Sequence, residues 1–384
     1  QQSAVVAGDG HKVQTGHHRS VILGGANITS DASDTAYVQN LNVKSAVKIP
    51  TGAADTYVLT SDANGVGTWQ AAGGGGGGTV QGTTTTYDIR ATLEGTTAGN
   101  ARGQHSVDLQ TQRALATQVA AADGSIISGG AQNLIGSLSS GGVISGGDSN
   151  TITGVSSECV IGGGSTNTCN GGFQQTIGGG YSNTVSDYYS TISGGYKNTI
   201  SGYGYAVISG GMQNVINGSD QTNFLGGAVI AGGSSNTASN DYSTIGGGAS
   251  NTNSGYHSTI SGGYNNTVSG DKSTVSGGYM NTVSGMNSTV SGGYKNTASG
   301  YTSTVSGGFM NTASATGYAV VSGGFLHTAS GYTSTVSGGY RNTASGYSSV
   351  VSGGRNNVAA SSNTTIGGGD SNTVSAYASI ATIS

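Results

Sequence analysis

The stretch Ser303-Thr304-Val305-Ser306-Gly307-Gly308-Phe309-Met310-Asn311-Thr312-Ala313-Ser314 decides the fold. It holds two short runs of alternating character, Ser-Thr-Val-Ser and Asn-Thr-Ala-Ser, with turn residues between them. Alternation of this kind marks a strand, because successive β side chains point to opposite faces. Val305 and Ala313 therefore share an inner side, and the flanking Ser and Thr lie outside. One such unit buries too little apolar surface to stand alone, so everything depends on whether it recurs.

Taking the β-branched residue before each Gly-Gly pair as an anchor, the unit recurs sixteen times between Ile127 and Ile366. The spacings begin at 17, 17 and 16, settle mostly at 15, and include one jump of 22 between Ile208 and Ile230. Two strands per coil, stacked so that backbone hydrogen bonds run from coil to coil, make an all-β, parallel β-solenoid of the β-roll or β-helix kind with coils of about 15 residues. At a strand spacing of about 4.8 Å, such a stack would be a rod on the order of 75–80 Å long.

The slot six residues after the anchor is Asn in fifteen coils, with Asn266, Asn281, Asn296, Asn311 and Asn342 among them, and His327 in the other. Asn tolerates left-handed backbone and its amide can bond the next amide along the stack. The pattern predicts a structural Asn ladder at a tight corner, with His327 as a substitution inside it. The anchor-to-Asn distance never changes, whereas residues are added after the second strand: one near Gly202-Tyr-Gly-Tyr205, one near Ala315-Thr-Gly-Tyr318, and seven within 217–227. Insertions need open space, so the variable corner is expected to face solvent and the fixed Gly-Gly corner a symmetry-related chain.

Tyrosines fall in two columns. One follows the Gly-Gly pair, from Tyr181 to Tyr340 with Phe309 and Phe325, and reads as packing between coils. The other sits near the variable corner, and its Tyr256, Tyr301, Tyr318, Tyr332 and Tyr347, with Phe224 of the long insertion, form the candidate receptor or carbohydrate face. Flat apolar rings with a hydroxyl at the rim suit sugar rings.

Composition agrees with a repeat fold. The chain has 73 glycines, one proline, four Met, four Phe, one Trp and 7% charged residues, too few large side chains for a conventional core. Without a period such a chain would read as disordered. A net charge of −4 leaves no basic stripe for nucleic acid, and no apolar run long enough to insert in a membrane exists. The chain starts at Gln1 with nothing resembling a signal peptide, as a processed product or a part of one would. The His17-His18 pair lacks spaced ligands for a metal, the Gly run has no Lys-Ser/Thr to make a phosphate loop, and no cofactor is expected. Cys159 and Cys169 are too few for a disulfide framework and read either as small buried side chains or as one local disulfide.

Ahead of the main solenoid at 125–384, the chain divides into a short degenerate solenoid at 1–30, a small β connector or attachment segment at 31–72, a Gly linker at 73–79 and a capping segment at 80–124.

The Ser-Thr-Val-Ser-Gly-Gly-Tyr-x-Asn-Thr-Ala-Ser-Gly-Tyr units resemble repeats in tail-fibre-like proteins of marine and cyanobacterial phages and some giant viruses. The segments Arg102–Arg113, Thr117–Ala120 and Asp55–Trp69 are similar to parts of the same fibres. The coil pattern over 125–384 also resembles the β-roll heads of bacterial trimeric autotransporter adhesins, although a heptad stalk and a membrane-anchor barrel are lacking. Both resemblances imply a homotrimeric fibre. The viral one implies a virion component that docks other virion proteins through its N-terminal region and attaches to a host-surface glycan or protein; the adhesin one implies a bacterial cell surface. Fibre solenoids that cleave polysaccharide use paired carboxylates. Here Asp220 and Asp241 are the nearest to a pair, so no enzyme is expected. An ice-binding solenoid is a remote alternative, since Ser and Thr alternate in its Thr rows.

Overall fold

The structure is a computed structural model. It describes residues 102–384 except 203, 219–225 and 379, together with the backbone of nine short strands before residue 102. It divides into the units Gln1–Gly75 and Gly76–Ser384.

In the first unit, Ala4–Asp9 pairs in parallel with Val21–Ala26, which pairs in parallel with Ala36–Tyr37. Lys12–Val13 pairs in parallel with Thr29–Ser30. Tyr57–Ser61 and Gly67–Ala71 form an antiparallel hairpin that brackets Asn64-Gly65, a sequence suited to a tight turn. The residues of the expected Gly linker lie outside the described residues.

The second unit is a parallel β-solenoid. Its first ladder runs through the anchor strands from Val107–Asp108, paired with Ile126–Ile127, to Thr382–Ile383, and Thr86–Arg90 pairs in parallel ahead of Val107–Asp108. Counted from Val107–Asp108 this makes eighteen rungs, two more than the Gly-Gly anchors: Val107–Asp108 pairs in register without a following Gly-Gly, and Thr382–Ile383 is followed by Ser384 alone. A sixteen-stranded second ladder runs from Leu134–Ile135 to Thr373–Val374. Between the two, a line of single-residue bridges follows each Gly-Gly pair, from Ala131↔Asp148 to Arg355↔Asp370.

Two-residue strands suffice because each makes rung contacts on both sides, and the residue behind the Thr faces inward. Val305, Ala313 and their equivalents have no exposed surface, apart from Val374 and Ile383 in the last coils. Burying a Val side chain is worth about 1.5–2 kcal/mol relative to leaving it in water, so a thin apolar column accumulates stability coil by coil.

The first rung departs from this chemistry. Asp108 occupies the inward anchor position and is fully buried, held by Arg113 at 2.7 Å and Arg102 at 3.3 Å. Gln110 lies two residues on. Its Oε1 accepts the Asn133 N–H at 2.8 Å and its Nε2 donates to the Asn133 carbonyl at 3.1 Å. The Arg102–Arg113 segment thus begins the inner column with a paired, hydrogen-bonded polar group where the following coils carry apolar ones.

Candidate functional site

The two corners of each coil carry the features that distinguish this stack, and they are built differently.

At the Gly-Gly corner the second glycine is obligatory. Gly308 has φ 91°, and a Cβ there would lie 2.3 Å from the Gly324 carbonyl of the next coil. The Asn that follows does not take the left-handed conformation for which its residue type is suited. That conformation falls on the residue before it, with Lys295 at φ 52°, Met310 at 54° and Arg341 at 51°. What requires Asn is the side-chain amide. Asn296 Nδ2 donates to the Gly292 carbonyl of its own coil at 2.8 Å and to the Gly308 carbonyl of the next at 3.0 Å. Its Oδ1 accepts the backbone N–H of Asn311 at 2.9 Å, while its own N–H reaches Asn281 Oδ1 at 2.9 Å. Asn266, Asn281, Asn311 and Asn342 are equally buried and make the same two Nδ2 contacts to glycine carbonyls. Asp or Leu would leave buried carbonyls without a donor, which accounts for Asn in fifteen of the sixteen coils.

His327 keeps half of this network. Its N–H reaches Asn311 Oδ1, and its Nδ1 accepts the Asn342 N–H, both at 3.0 Å. The neutral ring must therefore carry its hydrogen on Nε2, which is buried opposite the Gly339 backbone but makes no hydrogen bond of acceptable geometry. Burial holds its pKa below the ordinary histidine value, against the opposing influence of the Gly339 and Asn342 backbone.

The aromatic columns differ in ring orientation and in exposure, with Tyr294, Phe309 and Phe325 half-buried in the first. After the Gly-Gly pair, Tyr264, Tyr279, Tyr294, Phe309, Phe325 and Tyr340 stack in sequence, with centroids 4.6–5.2 Å apart and planes within 19°. The interior rings have both faces covered and offer only edges to solvent. The cause is the line of single-residue bridges, which holds these residues in strict register. Lys295 and Arg341 lie over the Tyr294 and Tyr340 rings.

At the variable corner Tyr301, Tyr318, Tyr332 and Tyr347 form one continuous run, 41–54% exposed. Here Tyr301 and Tyr318 meet at 78°, Tyr318 and Tyr332 at 88°, and only Tyr332 and Tyr347 are parallel. Perpendicular rings leave face area uncovered. The single added residue near Gly317 has a steric role in this, because a Cβ at Gly317 would lie 2.4 Å from Tyr332 Cε2. The ring packs where only glycine leaves room.

Tyr256 does not join this run. Asp271 and Met286 interrupt the column between Tyr256 and Tyr301. Tyr256 instead forms a separate cluster with Tyr242 and His257, whose imidazole stacks on Tyr242 at 4.5 Å and meets Tyr256 edge-on at 4.2 Å. His257 was not among the sequence candidates; its place beside Tyr256 at the variable corner is the signal that could have found it. Phe224 and Asp220 lie outside the described residues. Among the described residues no three His, Cys, Asp or Glu side chains converge as a metal site, and no helix is long and apolar enough to cross a membrane.

This architecture defines a β-solenoid repeat protein with exposed aromatic columns. Residues 288–300, 303–314 and 334–346 match the family model of the ubiquitous surface protein adhesin repeat, which relates the solenoid to bacterial surface adhesin repeats. The matched segments include Tyr294, Phe309 and Tyr340 of the stacked column and Asn296, Asn311 and Asn342 of the amide network. No curated protein matches the chain. The family matched corresponds to the adhesin resemblance, and the match has no bearing on the virion-fibre resemblance.

Proposed function

We propose that this chain is a non-enzymatic bacterial cell-surface adhesin, assembled as a homotrimer, whose variable corner binds surface carbohydrate. The observation that carries the adhesive reading is the match of three coils to a surface-adhesin repeat. The choice of corner rests on ring geometry. A sugar ring packs its apolar C–H face on an aromatic face, and faces are open along Tyr301, Tyr318 and Tyr332 but covered within the stacked column. Repetition along the shaft, multiplied by three chains, turns weak single contacts into strong attachment.

Glycan-array binding of the purified protein tests this. Tyr318→Ala is expected to lower binding at least about tenfold, while Tyr279→Ala in the stacked column leaves it unchanged. Equal losses from the two variants, or no glycan bound, would sink the carbohydrate reading. Light scattering is expected to give three chains per particle. Fractionation is expected to place the protein on the bacterial surface; recovery in purified virions would instead restore the fibre reading.

A further inference from the structure

The two cysteines occupy facing positions inside a single coil. Cys159 lies two residues before the anchor Ile161, on the inward side of the first ladder. Cys169 lies eight residues after the same anchor, at the inward position of the second ladder, in register with Ile152 and Val185. Both residues have no exposed surface and belong to the same apolar interior. In most other coils these two positions hold small or aliphatic residues such as Ser303 and Ala313, with Gln175 and Asn253 as polar exceptions.

The Cys169 thiol draws the Cys159 thiol down to about 7, against burial, and is itself pushed up by Cys159 and by burial. Cys159 Sγ also lies 3.5 Å from Gln175 Oε1 in the following coil. Their place in the stack is distinctive. The anchor spacing falls from 17 to 16 at this coil, and the pairing of Thr151–Ser157 with Thr168–Phe173 shifts register between Thr153 and Ser156. The strands here are the longest of the second ladder, with five paired residues spanning the irregularity, so a cross-link at this coil would tie this extended rung to the first ladder.

We infer that Cys159 and Cys169 form an intramolecular disulfide that staples the first and second ladders of this coil across its interior. The oxidant is a small-molecule disulfide of the glutathione class, acting while the coil is still open enough to admit it. One cysteine thiolate attacks a sulfur of that disulfide and releases one reduced small thiol. The second cysteine, losing its proton, then attacks the mixed disulfide and releases the other. Two thiols are oxidised to one disulfide, and one small disulfide is reduced to two thiols. An oxidising compartment, as a surface protein meets, favours the product.

Because the chain has only two cysteines, intact mass decides the matter. The full-length protein is refolded with oxidised glutathione, then unfolded without reductant and treated with a maleimide. The expected product is a single chain lighter by two hydrogens that takes up no maleimide, with both labels incorporated after reduction. Two labelled thiols without reduction, or chains joined to one another, would overturn the proposal. The staple should also slow hydrogen exchange of the Val160 and Thr168 amides at least about tenfold relative to the reduced protein. Unchanged exchange in the cross-linked chain would overturn its bracing role. Cys159→Ser and Cys169→Ala, each keeping one thiol, are expected to bind one maleimide and to exchange like the reduced form.

Discussion

The two corners of the coil solve the same problem, turning the chain from one ladder to the next, by opposite means. The Gly-Gly corner turns through a fixed number of residues, with a glycine packed against the next coil's backbone and a buried amide bonded to three neighbours. The variable corner turns through whatever length the sequence supplies and places its aromatic rings in solvent. The difference shows how a repeat fold divides labour. A corner whose polar groups must pair with those of adjacent coils cannot drift, whereas one whose side chains meet water can change composition without breaking the stack.

Substitutions at the fixed corner should therefore be costly. Gly308→Ala forces a methyl into the Gly324 carbonyl at a backbone angle that Ala rarely adopts, and is expected to destabilise the stack by roughly 3 kcal/mol or more. Urea unfolding followed by circular dichroism would measure it, and a loss below about 1 kcal/mol would show that the corner yields after all. Asn296→Ala strands the Asn311 N–H and the Gly292 carbonyl, at a cost of about 2–4 kcal/mol by the same measurement.

His327→Asn should act in the opposite direction. Since the folded-state pKa of His327 is lowered, the folded protein holds fewer protons than the unfolded chain, and stability falls with pH. The loss begins as pH drops through the unfolded value near 6.5 and continues towards the lower folded one. Protonation would also place a hydrogen on Nδ1 against the Asn342 N–H. Restoring Asn is expected to add about 1 kcal/mol at neutral pH and to flatten the decline between pH 7 and 5. An unchanged slope would show that His327 does not carry it. At the variable corner, Tyr301→Ala and Tyr347→Ala are expected to shift stability by only about 0.5–1 kcal/mol, since half-exposed rings contribute mainly to the surface.

Much of the solenoid is legible in the residue pattern because its rules are one-dimensional. The inward placement of Val305 and Ala313 follows from alternation, and the position of each turn follows from Gly-Gly. The extra rung at Val107–Asp108 was hidden because it lacks the Gly-Gly signature and because Asp108 is a charged residue at an inward position. The reason for the conserved spacing to Asn was only half legible. Its amide ladder could be anticipated from repetition, but the left-handed residue is its neighbour, as at Met310, a type that gives no hint of such a backbone. Ring orientation was not legible at all. Tyr279 and Tyr318 look alike in a column of letters, and only the bridge register behind one and the glycine beneath the run of the other set their faces apart.

The amide network has a direction. In each coil Asn Oδ1, or Nδ1 of His327, receives an N–H from the coil that follows, and the series opens with Gln110 supplying the acceptor to Asn133. Every finished coil thus exposes an acceptor that only the next coil can occupy. The stack is in this sense polar: one end offers an oxygen and the other an N–H, so its two ends cannot stand in for one another.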